Sequence, residues 1–417
     1  MSIAIPRARI FDPAENALFA ITAIAVSFFV FAYSTVFGPI TVLVFYGLWL
    51  PVLFLAPEIL TTNPRPVLFI LLLPTLAALS VLWSDAPSAT MRAAIQYGTT
   101  VLCGLVAARV VSVRNLATGG LIGGLAVLLY SHSEGKYGYD FVDASYAFQG
   151  AFQSKNQLGF YASLTAFFGI AITVLAGTPL LLRPVAFAIA GFSVWTLYLT
   201  DSATSVLALL LCAVATVAVV VVMRIGIATR AQSIVLLICL ATGIAAIAVQ
   251  VGALDTIFVV FGKDPTLTGR TYLWNQGILF GQEKPVLGIG YNAFWLYNRV
   301  EAEDLWREFY ITARTGFHFH NTLIESFVTL GIAGVVLVGG WTVALIVTPV
   351  RVLMNTSLQA EAAICTGLAV IFVIRSFVEI DFFTPYTAGS FLVPYLIAQM
   401  SDQRRIVTQP AVSTAWA

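Results

Sequence analysis

Long apolar runs separated by short polar connections set the pattern of this chain. A helix needs ~20 apolar residues to cross the hydrocarbon core of a bilayer. About twelve runs approach that length, near 16–33, 37–56, 67–83, 93–111, 115–132, 157–177, 181–200, 203–223, 232–252, 321–349, 360–380 and 385–401. The run at 321–349 is longer than needed, which predicts a helix that tilts or begins outside the membrane. Two long hydrophilic segments, about 133–156 and 253–320, interrupt the pattern. Within the second, a helical stretch at about 297–313 places Leu305, Trp306, Phe309 and Tyr310 opposite Glu301, Glu303, Asp304 and Arg307. Such a face suits a helix on the membrane interface, one over a cavity, or one packed on the bundle. The expected fold class is an all-α polytopic membrane protein, a single membrane domain over 1–417 with two insertions and no internal repeat.

Composition agrees. The chain is 59% hydrophobic and 10% charged, with a mean hydropathy of +0.92, which excludes a water-soluble fold of this length. A net charge of +1 gives no reason to expect a nucleic-acid partner. The cysteines Cys103, Cys212, Cys239 and Cys365 all fall in predicted spans and read as small apolar packing residues. The first run lacks a small-residue cleavage site and reads as a retained helix.

Arginine sets the expected orientation. With an even number of spans, one side carries Arg7, Arg9, Arg65, Arg109, Arg114, Arg183, Arg224, Arg230, Arg351, Arg404 and Arg405, eleven of the 21 basic residues. The opposite short loops hold Arg92, Asp85, Asp201 and Asp381. Both termini are therefore expected in the cytoplasm. The segments 133–156 and 253–320 are expected outside it, the second carrying the candidate active site.

Few side chains here can do chemistry. Two of the three histidines, His318 and His320, close the larger segment beside Asn321. Imidazole takes and returns a proton near neutral pH, although an interfacial histidine is equally an ordinary loop residue. No third or fourth ligand at metal spacing accompanies the pair, so no metal is expected. Arg270 follows Gly269, and a guanidinium grips phosphate oxygens as a fork. Lys284 adds a second fixed cation in the same segment. Lys155, beside Asn156, stands just before a span, as a ligand for anions or as a snorkelling anchor. Arg375 is expected inside the eleventh span, where buried charge signals function unless an i, i+4 pair with Glu379 accounts for it.

Taken together, several blocks resemble the O-antigen ligase and polymerase superfamily. They are Gly269–Arg270 with Trp274, Glu283–Lys284–Pro285–Val286–Leu287–Gly288–Ile289–Gly290, His320–Asn321–Thr322–Leu323–Ile324–Glu325, and Leu330–Gly331–Ile332–Ala333–Gly334. Lys155–Asn156–Gln157–Leu158–Gly159 is similar to the exopolysaccharide polymerase branch.

The resemblance implies a bundle of the GT-C type in the cytoplasmic (inner) membrane, with an extracytoplasmic site. It implies a glycosyltransferase that joins undecaprenyl-diphosphate-linked oligosaccharide to a growing glycan, without cofactor or metal and with inversion. His320 would be the base and Arg270 the diphosphate clamp. Lys155, Asn156, Arg375, Asn321 and Lys284 would bind substrate. The implied partners are membrane lipid, a flippase and a chain-length regulator. One position departs from the pattern. Many relatives carry Ser-Arg or Ser-Lys after the seventh span, where this chain reads Asp201–Ser202–Ala203, so Lys155 or Arg375 is expected to supply the missing cation. Two readings compete with polymerisation: ligation of glycan to a lipid A core, and transport of the same lipid carrier. A transporter predicts repeated halves with charge at mid-depth, and neither pattern is visible.

Overall fold

The computed structural model describes residues 7–140, 145–174, 178–226, 229–236, 269–355 and 360–402. Its longer helices are α1 (Ala17–Phe37), α2 (Pro39–Leu55), α3 (Pro64–Leu79), α4 (Pro87–Val110), α5 (Val113–Glu134), α6 (Lys155–Val174), α7 (Leu182–Leu199), α8 (Ala203–Met223), α9 (Arg270–Glu283), α10 (Val300–Glu308), α11 (Thr322–Asn355), α12 (Ala360–Ser376) and α13 (Ala388–Ser401). Among the described residues, eight helices are long and apolar enough to cross a membrane, and α2 is a shorter apolar helix. The expected all-α polytopic class is therefore observed. The ninth expected span, 232–252, lies largely outside the described residues, as do Cys239 and Lys263.

Aromatic and aliphatic side chains fill the centre of the bundle, with Trp49, Tyr97, Phe168, Phe372 and Phe391 all fully buried. Large apolar residues such as Leu18, Phe187, Tyr198 and Val336 remain exposed on its outer faces, as a lipid solvent requires. The larger insertion builds a second small core from Leu273, Phe294, Leu305, Trp306 and Phe319. Helix α10 buries its Leu305–Trp306 face there, and Phe309 and Tyr310 beyond its end line a cavity, so both packing on the protein and a place beside a cavity are seen. The smaller insertion contains an antiparallel hairpin, Tyr137–Asp140 with Ser145–Phe148. The sequence reading missed it, because two four-residue strands carry too short an alternation to stand out.

Two differences from expectation shape the site. The long run at 321–349 is not one continuous helix: α11 breaks at Gly331, whose backbone is left-handed (φ 63°, ψ −159°). The chain after α9 fills that break. Pro285 O accepts from Ile332 N at 2.8 Å, and Thr329 O accepts from Gly290 N at 2.9 Å. A Cβ on Gly331 would fall 2.3 Å from the Val286 carbonyl carbon, and one on Gly288 would fall 2.4 Å from that of Thr329. Two glycines at positive φ thus let backbone dock on backbone and satisfy groups that a broken helix would leave bare. Second, α12 stops at Ser376, so 377–387 form a nonhelical connection that brings Glu379 and Asp381 out of the bundle wall.

Candidate active site

Left-handed backbone at Gly269 (φ 79°) starts α9 and aims Arg270 at the 377–379 connection. Arg270 Nη1 donates to Val378 O at 3.1 Å, and Nη2 lies 3.3 Å from Glu379 Oε1. The same carboxylate meets both histidines: Oε2 is 3.4 Å from His320 Nδ1 and 3.6 Å from His318 Nε2. Alternate residues of an extended strand or a helix point apart, but these rings sit 4.1 Å apart because His320 is left-handed (φ 50°) and folds the segment back. His320 N donates to His318 Nδ1 at 3.0 Å across that turn. Phe319 is fully buried between them, its backbone N–H held by Glu325 Oε2 at 3.0 Å.

Asn321 works from the other side. Its Oδ1 accepts from Leu323 N and Ile324 N, capping α11, while Nδ2 donates to Phe377 O at 3.1 Å. Thr322 Oγ1 donates to Glu379 O at 2.7 Å. The start of α11 is thereby tied to the loop that carries Glu379. Asn321 thus holds the loop in place, and it is not among the residues that line the cavity beside α10.

A cavity of about 530 Å³ lies between the two insertions, lined by Arg270, His320, Lys155, Asn156, Gln149, Gln153, Tyr139, Phe309, Tyr310 and Phe317, among others. Both arms of the missing-cation question converge on one segment. Lys155 Nζ lies 3.9 Å from Asp201 and donates to Ser145 Oγ at 2.6 Å. Arg375 Nη1 donates to Ser205 Oγ at 3.4 Å, and Ser202 Oγ donates to Asn156 Oδ1 at 2.9 Å. The expected Arg375–Glu379 pair is replaced: Arg375 grips Asp381 with two bonds, 2.5 and 3.1 Å, and its guanidinium packs over the Phe160 ring at 4.2 Å. Lys155 lines the cavity and Arg375 does not. Nor does Lys284, which pairs with Asp85 at 2.5 Å and clips the 284–291 loop onto residues 80–85, aided by Trp83 Nε1 donating to Leu287 O. The third histidine, His132, stacks on Trp195 away from these groups.

Glu379 is the site residue that sequence reading passed over. Burial alone would raise its pKa, yet the neighbouring His320, followed by Arg270 and His318, holds it well below the carboxylate range. His318 is pushed well below the usual imidazole value by burial first and by neighbouring His320 second. Glu379 also supplies the third group that the metal argument lacked, since His318, His320 and Glu379 bring one donor atom each within 4.8 Å of one another. The chemistry of the set nevertheless suits protons better. His318 Nδ1 already accepts a backbone N–H, so the neutral ring carries its proton on Nε2, the nitrogen that faces Glu379. That nitrogen has no lone pair to offer a cation.

The fold and site define a multi-pass membrane protein with a histidine, a shared carboxylate and fixed cations around one cavity. The model of the family described as O-antigen ligase matches residues 186–339. The exopolysaccharide production protein ExoQ of Rhizobium meliloti (strain 1021) is 40% identical over 405 residues, covering 96% of this chain and 92% of that protein. This chain belongs to the O-antigen ligase and exopolysaccharide polymerase superfamily.

Proposed function

We propose that the protein polymerises undecaprenyl-diphosphate-linked oligosaccharide repeats at the outer face of the cytoplasmic membrane, with both termini cytoplasmic. The observation that supports this most is His320 and Arg270 on the wall of one cavity, joined through Glu379. The likeness to an exopolysaccharide production protein favours polymerisation. In this reading the lipid-linked donor is already activated, so the protein supplies position, a base and positive charge. His320 removes the proton of an acceptor hydroxyl. The oxygen attacks the anomeric carbon as its bond to the diphosphate breaks, inverting the configuration. Arg270 and Lys155 take up the charge left on undecaprenyl diphosphate. Gln149, Gln153 and the aromatic rings of Tyr139 and Phe309 are suited to hold sugar, offering amides to hydroxyls and flat faces to the pyranose. Arg375 acts behind the cavity, fixing Ser205 and Asp381.

The match to the O-antigen ligase family keeps ligation as a second reading, because both reactions form the same bond to different acceptors. The deciding experiment supplies purified protein with lipid-linked repeats, with and without a lipid A core. Chain growth without the core supports the polymerase, and transfer only to the core supports the ligase. In the same assay Arg270→Lys keeps a charge but loses the planar fork. It is expected to lower the rate about 10²-fold at normal membrane abundance, and full activity would remove the clamp role.

A further inference from the structure

Three groups around Glu379 form a connected chain of donors and acceptors. His320 N–H donates to His318 Nδ1, which leaves His318 Nε2–H directed at Glu379 Oε2. Arg270 occupies the other oxygen. The carboxylate is thus anchored from two sides, and Oε2 faces Nδ1 of His320 at 3.4 Å. That Nδ1 is itself buried, while His320 lines the cavity. We propose that Glu379 is a positioning residue that holds His320 in the tautomer protonated on Nδ1, so that Nε2 keeps its lone pair for the acceptor hydroxyl, and that His318 holds Glu379 for this task.

The physical case rests on which alternatives the geometry leaves. A neutral imidazole has one N–H and one lone pair, and an ionised carboxylate only accepts. A lone pair on Nδ1 would therefore face a negative oxygen across a buried gap, whereas an N–H there is attracted to it. A carboxylate behind a histidine also stabilises the imidazolium that forms when the proton is taken. The distance is long for a hydrogen bond, as is common before substrate closes a site. Other charges face His320 as well: Arg270 on α9, Lys155 on α6 across the cavity, and Arg375 with Asp381 behind Glu379. Of these groups, Glu379 is the one that meets the His320 ring nitrogen. The inference deepens the transfer reaction proposed above and rests on it for its purpose, but the tautomer itself can be read on the resting protein.

The test uses the full-length protein in detergent or nanodiscs, with ¹⁵N-labelled histidine. Only three histidines are present, so removal of each in turn assigns the ring signals. The expected wild-type signature is a neutral His320 protonated on Nδ1. Glu379→Gln is expected to lose that preference and to lower the transfer rate about 10²-fold or more. Glu379→Asp should restore part of both. An unchanged tautomer in folded Glu379→Gln would overturn the proposal, even if the rate fell. A stoichiometric divalent metal in the purified protein, with activity lost on chelation and restored by that metal, would also overturn it. If wild type shows the signature but transfers no glycan, the transfer reading fails and the assigned tautomer stands.

Discussion

Glu379 Oε2 lies 3.4 Å from His320 Nδ1, although helices α11 and α12 separate the two residues along the chain. The other oxygen of the same carboxylate gives Arg270 a second partner besides the backbone. This sharing changes what each substitution in this cluster should do.

His320→Ala removes the proposed base and is expected to slow chain growth about 10²–10⁴-fold at neutral pH. Extended or helical geometry would leave His318→Ala nearly silent. With both rings on one carboxylate, His318→Ala is instead expected to cost about 10-fold, as an oriented group loses one of its supports. Transfer assays on both variants decide. A silent His318→Ala would separate it from the site, and full activity in His320→Ala would remove the base.

Lys155 and Arg375 should fail in different ways. Arg375→Ala leaves Asp381 without its partner in a buried setting, and breaking such a pair costs about 3–5 kcal/mol. Membrane abundance and thermal stability should fall. Lys155→Ala removes a cation from the cavity wall and should lower transfer about 10²-fold, with abundance near wild type. The reverse assignment, a stable inactive Arg375→Ala beside an active Lys155→Ala, would make Arg375 the substituting cation.

Stability should depend on pH through His318. Its folded pKa is depressed, while the unfolded chain takes up the proton near pH ~6.5. Below ~6.5 the unfolded state binds more protons, so stability is complete above that value and declines as pH falls. Glu379, also depressed, loses its contribution only below the ordinary carboxylate range of ~4.3. The unfolding temperature should therefore drop between about pH 7.5 and about pH 5.5, and drop less in His318→Gln. Equal drops in the two proteins would show that His318 is not the group titrating.

Topology is tested with reporters. Arginine in alternate short loops leads to the expectation that the cavity lies outside the cytoplasm. A reporter fused after Gly316 should read as extracytoplasmic and one after Arg351 as cytoplasmic. The opposite result would put the cavity on the wrong side for lipid-linked repeats joined at the outer face.

Apolar run length by itself determined the all-α membrane fold and the position of nearly every described helix, because backbone in lipid must close its own hydrogen bonds over a fixed thickness. The choice of Arg270 and His320 was equally local: a charge and an imidazole are conspicuous in a chain with so little of either. The break in α11 was not legible. A glycine in an apolar run looks like any other until the 285–290 backbone is seen filling the gap beside Gly331. Nor was Glu379, whose spacing from Arg375 offered a simple helical pair. Only the tertiary structure ended α12 early, gave Arg375 to Asp381, and turned Glu379 toward a left-handed His320. Side-chain convergence depends on where helices stop and how their connections dock, which residue types and spacing along one segment do not encode.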